Sequence, residues 1–204
     1  MFVYHGWTSD QLAKHLRKNY WDRRRRMKRH EVARHVDQFV LSGVAFLPEN
    51  VPEVGEQLHL LMEDGRVTTL SVHVNRFLRA IAFYFGTDVS ALRHRYGPAI
   101  GRKQLIPLPF TGDWVMVPLK VRNPIGRQPV YGWFVAQHIC RMEPAAPQQT
   151  RVELNGKHVV TVLHSFHFCQ AQMRHVRLVR DYYAEIHYAR RLPLVMEPGI
   201  PYDV

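Results

Sequence analysis

The chain has 204 residues, 46% of them hydrophobic and 11% aromatic, enough for one sizeable core and too apolar for a disordered chain. It carries 28 Lys+Arg against 17 Asp+Glu, a net charge of +11 and a pI near 10, which points to a polyanionic partner. Two cysteines, Cys140 and Cys169, without a Cys-x-x-Cys pair, argue against a disulfide scaffold and suit a reducing compartment.

Residues 1–37 hold ten Lys/Arg against four Asp/Glu, concentrated in Asp22-Arg-Arg-Arg-Arg-Met-Lys-Arg-His30. Like charges so close repel, so such a run has an anion to meet, and nucleic-acid phosphate is the first candidate. A solvated helix face is the plainer alternative. Residues 9–41 lack Gly and Pro, and Thr8 with Gln11 resembles a capping box. Leu12 and Leu16 form one apolar face, and Val32, Val36, Phe39 and Val40 another. The pattern predicts two helical pieces, or one bent helix, with an electropositive middle.

Phe39–Leu47, ended by Pro48, predicts a short strand. Gln57–Glu63 and Arg66–His73 flank Asp64-Gly65, a hairpin of type I′. Asn75–Phe85 and Asp88–Tyr96 predict two short helices, with Asn75 and Asp88 as caps, Gly86 between them and Gly97 at the end. Lys103–Phe110 and Trp114–Val121 flank a turn at Thr111-Gly-Asp113, and Val130–Met142 reads as a third long strand. Arg151–Leu154 and Lys157–Leu163 flank Asn155-Gly156, a second hairpin. Ser165 caps a last helix of about 25 residues reaching Arg191. Gln172, Val176, Val179, Tyr183 and Ile186 recur on one side of it. Pro193, Pro198, Gly199 and Pro201 mark an irregular tail. The fold class is therefore α+β: an antiparallel sheet of hairpins covered by a helix pair and a long C-terminal helix, with a basic helical N-terminal extension. The expected division is an extension at 1–37, a core at 38–192 and a Pro-rich tail at 193–204.

Ala82, Gly86 and Leu92 have the spacing of a helix-turn-helix, which would turn Ser90, Arg93 and His94 toward a groove; an ordinary helical hairpin has the same spacing. His164, His167, Cys169 and His175 are the densest group of metal-ligating types, but His-x2-His-x-Cys matches no common zinc pattern and crosses a strand-to-helix junction. Acidic residues lie mostly in turns, and neither H-E-x-x-H, G-x-S-x-G, a phosphate loop nor G-x-G-x-x-G occurs. No catalytic residue, metal or cofactor is assigned. Gly97-x3-Gly101-Arg-Lys is basic and Gly-rich, able to offer backbone N–H groups and two cations to a phosphate, or simply to join helix to strand.

From about residue 40 onward the order of features resembles the ComK family of competence transcription factors. It runs through Val44-Ala-Phe-Leu-Pro-Glu49, Phe85-Gly86, Gly101-Arg102-Lys103, the strand containing Pro118, and Gly132-Trp133 with His138. Arg151-Val-Glu-Leu-Asn-Gly-Lys157 and Ser165-Phe166 complete it. The resemblance implies a cytoplasmic activator, with no cofactor, that binds AT-rich promoter boxes, by the minor groove, as a dimer or higher oligomer. A minor-groove mode competes with the helix-turn-helix. The chain departs from the pattern in its 1–37 extension and in the inserted Thr87–Ile100. Family members are also controlled by an adaptor at a C-terminal segment; Leu194-Val-Met-Glu-Pro198 sits there but lacks its aromatic residues.

These readings assign Arg23, Arg24, Arg25, Arg26, Lys28, Arg29, Arg93, Arg95, Arg102 and Lys103 to double-stranded DNA. Arg174 and Arg177, on a helix side of mixed charge with Asp181 and Glu185, are assigned to a homodimer contact. The alternatives are a phage-type or RNA-associated nucleic-acid-binding protein and a metal-dependent nuclease. No span long enough to cross a membrane and no apolar signal-peptide core are seen, so a soluble, nucleoid-associated protein is expected.

Overall fold

A computed structural model describes residues 27–51, 55–124 and 128–188. Arg23–Arg26 and the adaptor-like Leu194–Pro198 lie outside these residues. The fold is α+β, with four helices and two antiparallel sheets among the described residues. None of the described helices is long and apolar enough to cross a membrane.

Helix α1 (Arg29–Ser42) opens with a capping box in which Glu31 accepts from the Lys28 backbone N–H at 2.6 Å. It buries Val32, Val36 and Phe39, so the 37/38 boundary falls inside a helix that belongs to the core. Phe39 stacks edge-on against Phe46 and Phe77 at 5.5 and 5.6 Å, and Phe46 meets Phe77 at 5.1 Å. These apolar rings hold α1 to the sheet and to the next helix.

Phe39–Ser42 are thus helical, and strand β1 starts later than expected and runs through Pro48 (Gly43–Val51). Pro48 pairs with Leu58 of β2 (Gly55–Met62), while β6 (Tyr131–Val135) pairs with β1 only at Ala45 and Phe46. Beyond that pair a residue without an N–H costs the sheet no bond on the β6 side. The Asp64-Gly65 hairpin joins β2 to β3 (Val67–Leu70). It is not a two-residue I′ turn: Gly65 N–H bonds the Met62 carbonyl and only Gly65 has positive φ, the geometry of a type I turn with a G1 bulge.

Helices α2 (Val74–Tyr84) and α3 (Val89–Ala99) follow. Of the expected strand at Lys103–Phe110 only β4 (Leu108–Pro109) remains, because Leu105 has a positive φ and Pro107 and Pro109 lack N–H donors. Next come β5 (Val115–Lys120) and β6, which complete a six-stranded sheet in the order β3-β2-β1-β6-β5-β4.

Val130–Met142 is not one strand. A 3-10 turn at Ala136–His138 moves the chain into a separate three-stranded sheet, β7 (Ile139–Ala146), β8 (Gln149–Leu154) and β9 (His158–Val162). The Asn155-Gly156 turn is longer than two residues, with Gly156 and Lys157 both at positive φ. A side chain at Gly156 would strike the Met62 and Glu63 carbonyls at 2.6 and 2.7 Å, so glycine lets the two hairpin tips touch. Asn155 Nδ2 donates to Glu63 Oε1 across that contact at 3.2 Å.

Ser165 caps helix α4 (Phe166–His187) by accepting from Phe168 N–H at 3.3 Å. The helix buries Cys169, Gln172, Val176 and Val179, while Tyr183 and Ile186 are half-buried. Three of the expected stripe positions therefore lie in the core, and its C-terminal end is partly open to water.

Candidate nucleic-acid interface

Between Val89 and Gly112 the chain carries Arg93, Arg95, Arg102 and Lys103 and not one Asp or Glu. Asp88 and Asp113 bound this stretch, and both are spent locally. Asp88 caps α3, accepting from Ser90 and Ala91 N–H at 2.7 and 3.2 Å. Asp113 pairs with Arg180 at 2.9 Å.

Local sequence explains the helix pair. His73, rather than Asn75, caps α2, its Nδ1 accepting from Asn75 N–H at 3.2 Å. Ala82 and Leu92 are buried on the two sides of the turn, and Gly86 carries φ +65°. Val89, Leu92, Tyr96 and Gly97 are buried, leaving Ser90, Arg93, His94 and Arg95 exposed. Tyr96 lies against Tyr182 and Tyr183 of α4, and its hydroxyl pKa is pushed up to about 12, chiefly by burial. This contact sets α3 beside the C-terminal helix.

The Gly-rich loop after α3 is closed on itself. Ile100 and Arg102 N–H both bond the Gly97 carbonyl, at 3.2 and 2.9 Å, and Gly101 N–H bonds Pro98 at 3.1 Å. These donors are used in capping α3, so the loop offers a phosphate its Arg102 and Lys103 side chains rather than a backbone cradle. Gly97 makes this possible: a Cβ there would meet the Arg102 carbonyl oxygen at 2.6 Å.

The loop is fastened to α4. Buried Gln172 donates through Nε2 to the Leu105 carbonyl at 2.9 Å, and its Oε1 lies 3.1 Å from His175 Nδ1. Burial, then Arg102, then Arg174 lower the His175 pKa. Arg174, assigned from sequence to a dimer contact, thus acts on the same imidazole as Arg102. Arg177 lines an open cleft of about 270 Å³ with Gly112, Asp113, Arg180, Asp181, Ala184 and Tyr188. The sequence missed Gln172 and Leu105 as site-forming residues. The available signal was a polar side chain in an otherwise apolar helical stripe.

Lys28 and Arg29 start α1. The Arg29 guanidinium lies 5.0 Å from the ring centroid of Phe83, at the end of α2, and Arg76 Nη2 donates to the Met27 carbonyl at 2.8 Å. Phe83 is 71% and Tyr84 47% exposed, so two neighbouring aromatic rings reach solvent, the first of them with a cation over it.

The histidine-rich group is dispersed. His164 is stacked on Phe168 at 4.0 Å, Cys169 is fully buried with its thiol pKa raised by burial, and His175 is bonded to Gln172. Among the described residues no three His, Cys, Asp or Glu side chains gather as a metal site. No family model, curated protein or solved structure matches the chain, so any functional reading stands on these residues.

Proposed function

We propose that the protein is a double-stranded DNA-binding transcriptional activator of the competence type that prefers AT-rich promoter boxes and acts as a homodimer or higher homo-oligomer. One observation carries the reading: the unbroken cationic stretch Arg93, Arg95, Arg102 and Lys103, exposed or half-exposed on α3 and its following loop. Cations without local carboxylate partners are set to neutralise phosphates, and an Arg reaching a narrow A·T-rich minor groove senses its enhanced negative potential. Lys28, Arg29 and the run Arg23–Arg26 add further cations in the sequence, and the ComK-like order of motifs supports the activator reading.

The test is titration of AT-rich and GC-rich duplexes at near-physiological salt with the wild type and Arg102→Ala. The wild type should prefer the AT-rich duplex, and the substitution should reduce that preference. Equal loss on both duplexes makes Arg102 a backbone contact only, and absence of duplex binding ends the proposal. Exposed Phe83, next to Arg29, and exposed Tyr84 favour a second reading, single-strand binding by base stacking. Tighter binding of single strands than of duplexes would select it.

A further inference from the structure

We propose that strand β9 pairs edge to edge with the β9 of a second copy of this chain, antiparallel about Val160, so that two three-stranded sheets join into one of six strands. The inference rests on the homo-oligomer part of the reading above and deepens it by naming the surface.

The free edges of the two sheets are not alike. Among the described strands, β3 and β4 border the large sheet, and β7 and β9 the small one. An edge strand offers unpaired N–H and C=O groups to any strand it meets, and folded proteins blunt such edges with short strands, proline, bulges or charge. Three of the four are blunted here. β4 has two residues, one of them Pro109. β3 has four and follows Arg66. β7 contains Pro144 and two breaks in register, at Ile139/Arg141 and Pro144/Ala146. β9 has none of these devices. It holds no Pro, Lys, Arg, Asp or Glu, and its five residues pair with β8 in unbroken register. Val159, Val160, Thr161 and Val162 are β-branched, the type that suits a paired strand.

The outer backbone of β9 is turned to accept a partner. Just past the strand, Leu163 N–H bonds the Lys120 carbonyl at 2.6 Å instead of β8. Backbone groups alternate sides along a strand, so Thr161 and Val159 also direct N–H and C=O away from β8. Two such edges, laid antiparallel in the register that uses all five residues, set Val160 opposite itself. Val159 of each copy then exchanges backbone bonds with Thr161 of the other.

Charge selects a second copy as the occupant. A chain of net charge +11 repels its own kind, so it self-associates best where its surface is locally neutral. On β8, Glu153 lies in register with Val159, and Arg151 with Thr161. The twofold join therefore places Glu153 of one copy and Arg151 of the second copy in the same cross-strand row, with only Val159 and Thr161 between them. The alternation of sign runs through the join without like charges meeting. Val159, 45% exposed, gains a cross-strand neighbour. The join engages none of Arg93, Arg95, Arg102 and Lys103, which lie on α3 and its loop.

The experiment compares the full-length wild type with Val159→Lys/Thr161→Lys, Val159→Glu/Thr161→Glu and Arg177→Glu by sedimentation, free and on an AT-rich duplex long enough for two copies. Val159 and Thr161 are exposed, so both double variants should melt as the wild type does. The wild type should dimerise, and both double variants should weaken the dimer by about tenfold or more, whatever the sign of the added charge. Arg177→Glu, on the α4 side assigned to the contact from sequence, should dimerise as the wild type does. Amide exchange at Val159 and Thr161 should slow by about tenfold or more as wild-type concentration rises through the dimer range. Exchange at these two amides that ignores concentration overturns the join, even if a dimer forms or a double variant melts early. Unchanged dimerisation in both double variants also overturns it, and a dimer split only by Arg177→Glu assigns the contact to α4 instead. A chain that dimerises through β9 but binds no duplex keeps the join and ends the DNA reading. A chain that stays monomeric, free and on the duplex it binds, keeps the DNA reading and ends the join.

Discussion

His164 is half-buried between Tyr131 and Phe168, with its Nε2 shut away from water and, among the described residues, without a hydrogen-bond partner. Burial, helped by Lys120, pushes its pKa down to about 4. An unfolded chain takes up this proton below about 6.5, whereas the folded one resists until about pH 4. The contribution to stability is therefore whole above pH 6.5 and is lost as pH falls toward 4. Glu49 acts in the same direction. His59 bonds it at 2.9 Å and holds its carboxyl below the usual range, so its stabilisation is also lost on acidification. His164→Phe keeps the ring stack and removes the proton site. With allowance for solvent screening, it should be about 1 kcal/mol more stable than the wild type at pH 5 and close to it at pH 7.5. Urea unfolding at the two pH values measures this, and an equal difference at both would assign the effect to packing.

At the scale of elements, α3 and its loop behave as one unit because Gly97 allows the chain to fold back on the helix end. Gly97→Ala drives a methyl against the Arg102 carbonyl and against Ile106 Cδ1, at 2.6 and 2.9 Å. The carbonyl is backbone and cannot rotate away, so the loop must move. A stability loss of about 1–3 kcal/mol should follow, together with weaker duplex binding. Gly132→Ala provides the comparison. Its methyl would crowd Leu47 and Val121 in the sheet, far in sequence from the basic loop. It should destabilise similarly, but at temperatures where both variants remain folded only Gly97→Ala should lose affinity. Thermal melts with anisotropy titrations below the melting range separate the two.

Across the whole molecule, charge is distributed unevenly. On the second sheet, Arg141 lies in register with Glu153, and Glu143 with Arg151, while Arg141–Glu143 and Arg151–Glu153 pair along their strands at 2.6 and 3.4 Å. That chequerboard is self-neutralising and offers little to phosphate. Arg93, Arg95, Arg102, Lys103 and Arg174 have no such partners among the described ion pairs. Replacing Arg102 and Arg174 with Ala should flatten the plot of log K against log salt by about two units of slope, one for each cation removed from the DNA contact. The Arg141/Arg151 double Ala variant should leave the slope unchanged. Equal slopes for the two pairs would mean that overall charge, not its placement, drives binding.

What the sequence determined by itself was local. Asp64-Gly65 and Asn155-Gly156 turn the chain because few residues tolerate the dihedrals required there. Asp88 and Ser165 start helices because their short side chains reach N–H groups two or three residues away. The α+β class, both hairpins, the helix pair, the long last helix and the basic stretch on α3 were legible for that reason. Even so, the turn types, the cap of α2 and the start of β1 came out differently, since neighbouring packing shifts boundaries by a few residues. Tertiary structure alone decided that Val130–Met142 divides between two sheets. It also shrank Lys103–Phe110 to a two-residue strand and set Arg177 and Asp113 around one cleft. Each outcome depends on contacts between residues far apart in the chain. The bond from Gln172 to Leu105, separated by 67 positions, is the clearest case. Periodicity records which side of a helix faces inward, and Gln172 obeyed it. It holds no record of which carbonyl waits there, and that carbonyl sets the basic loop against α4.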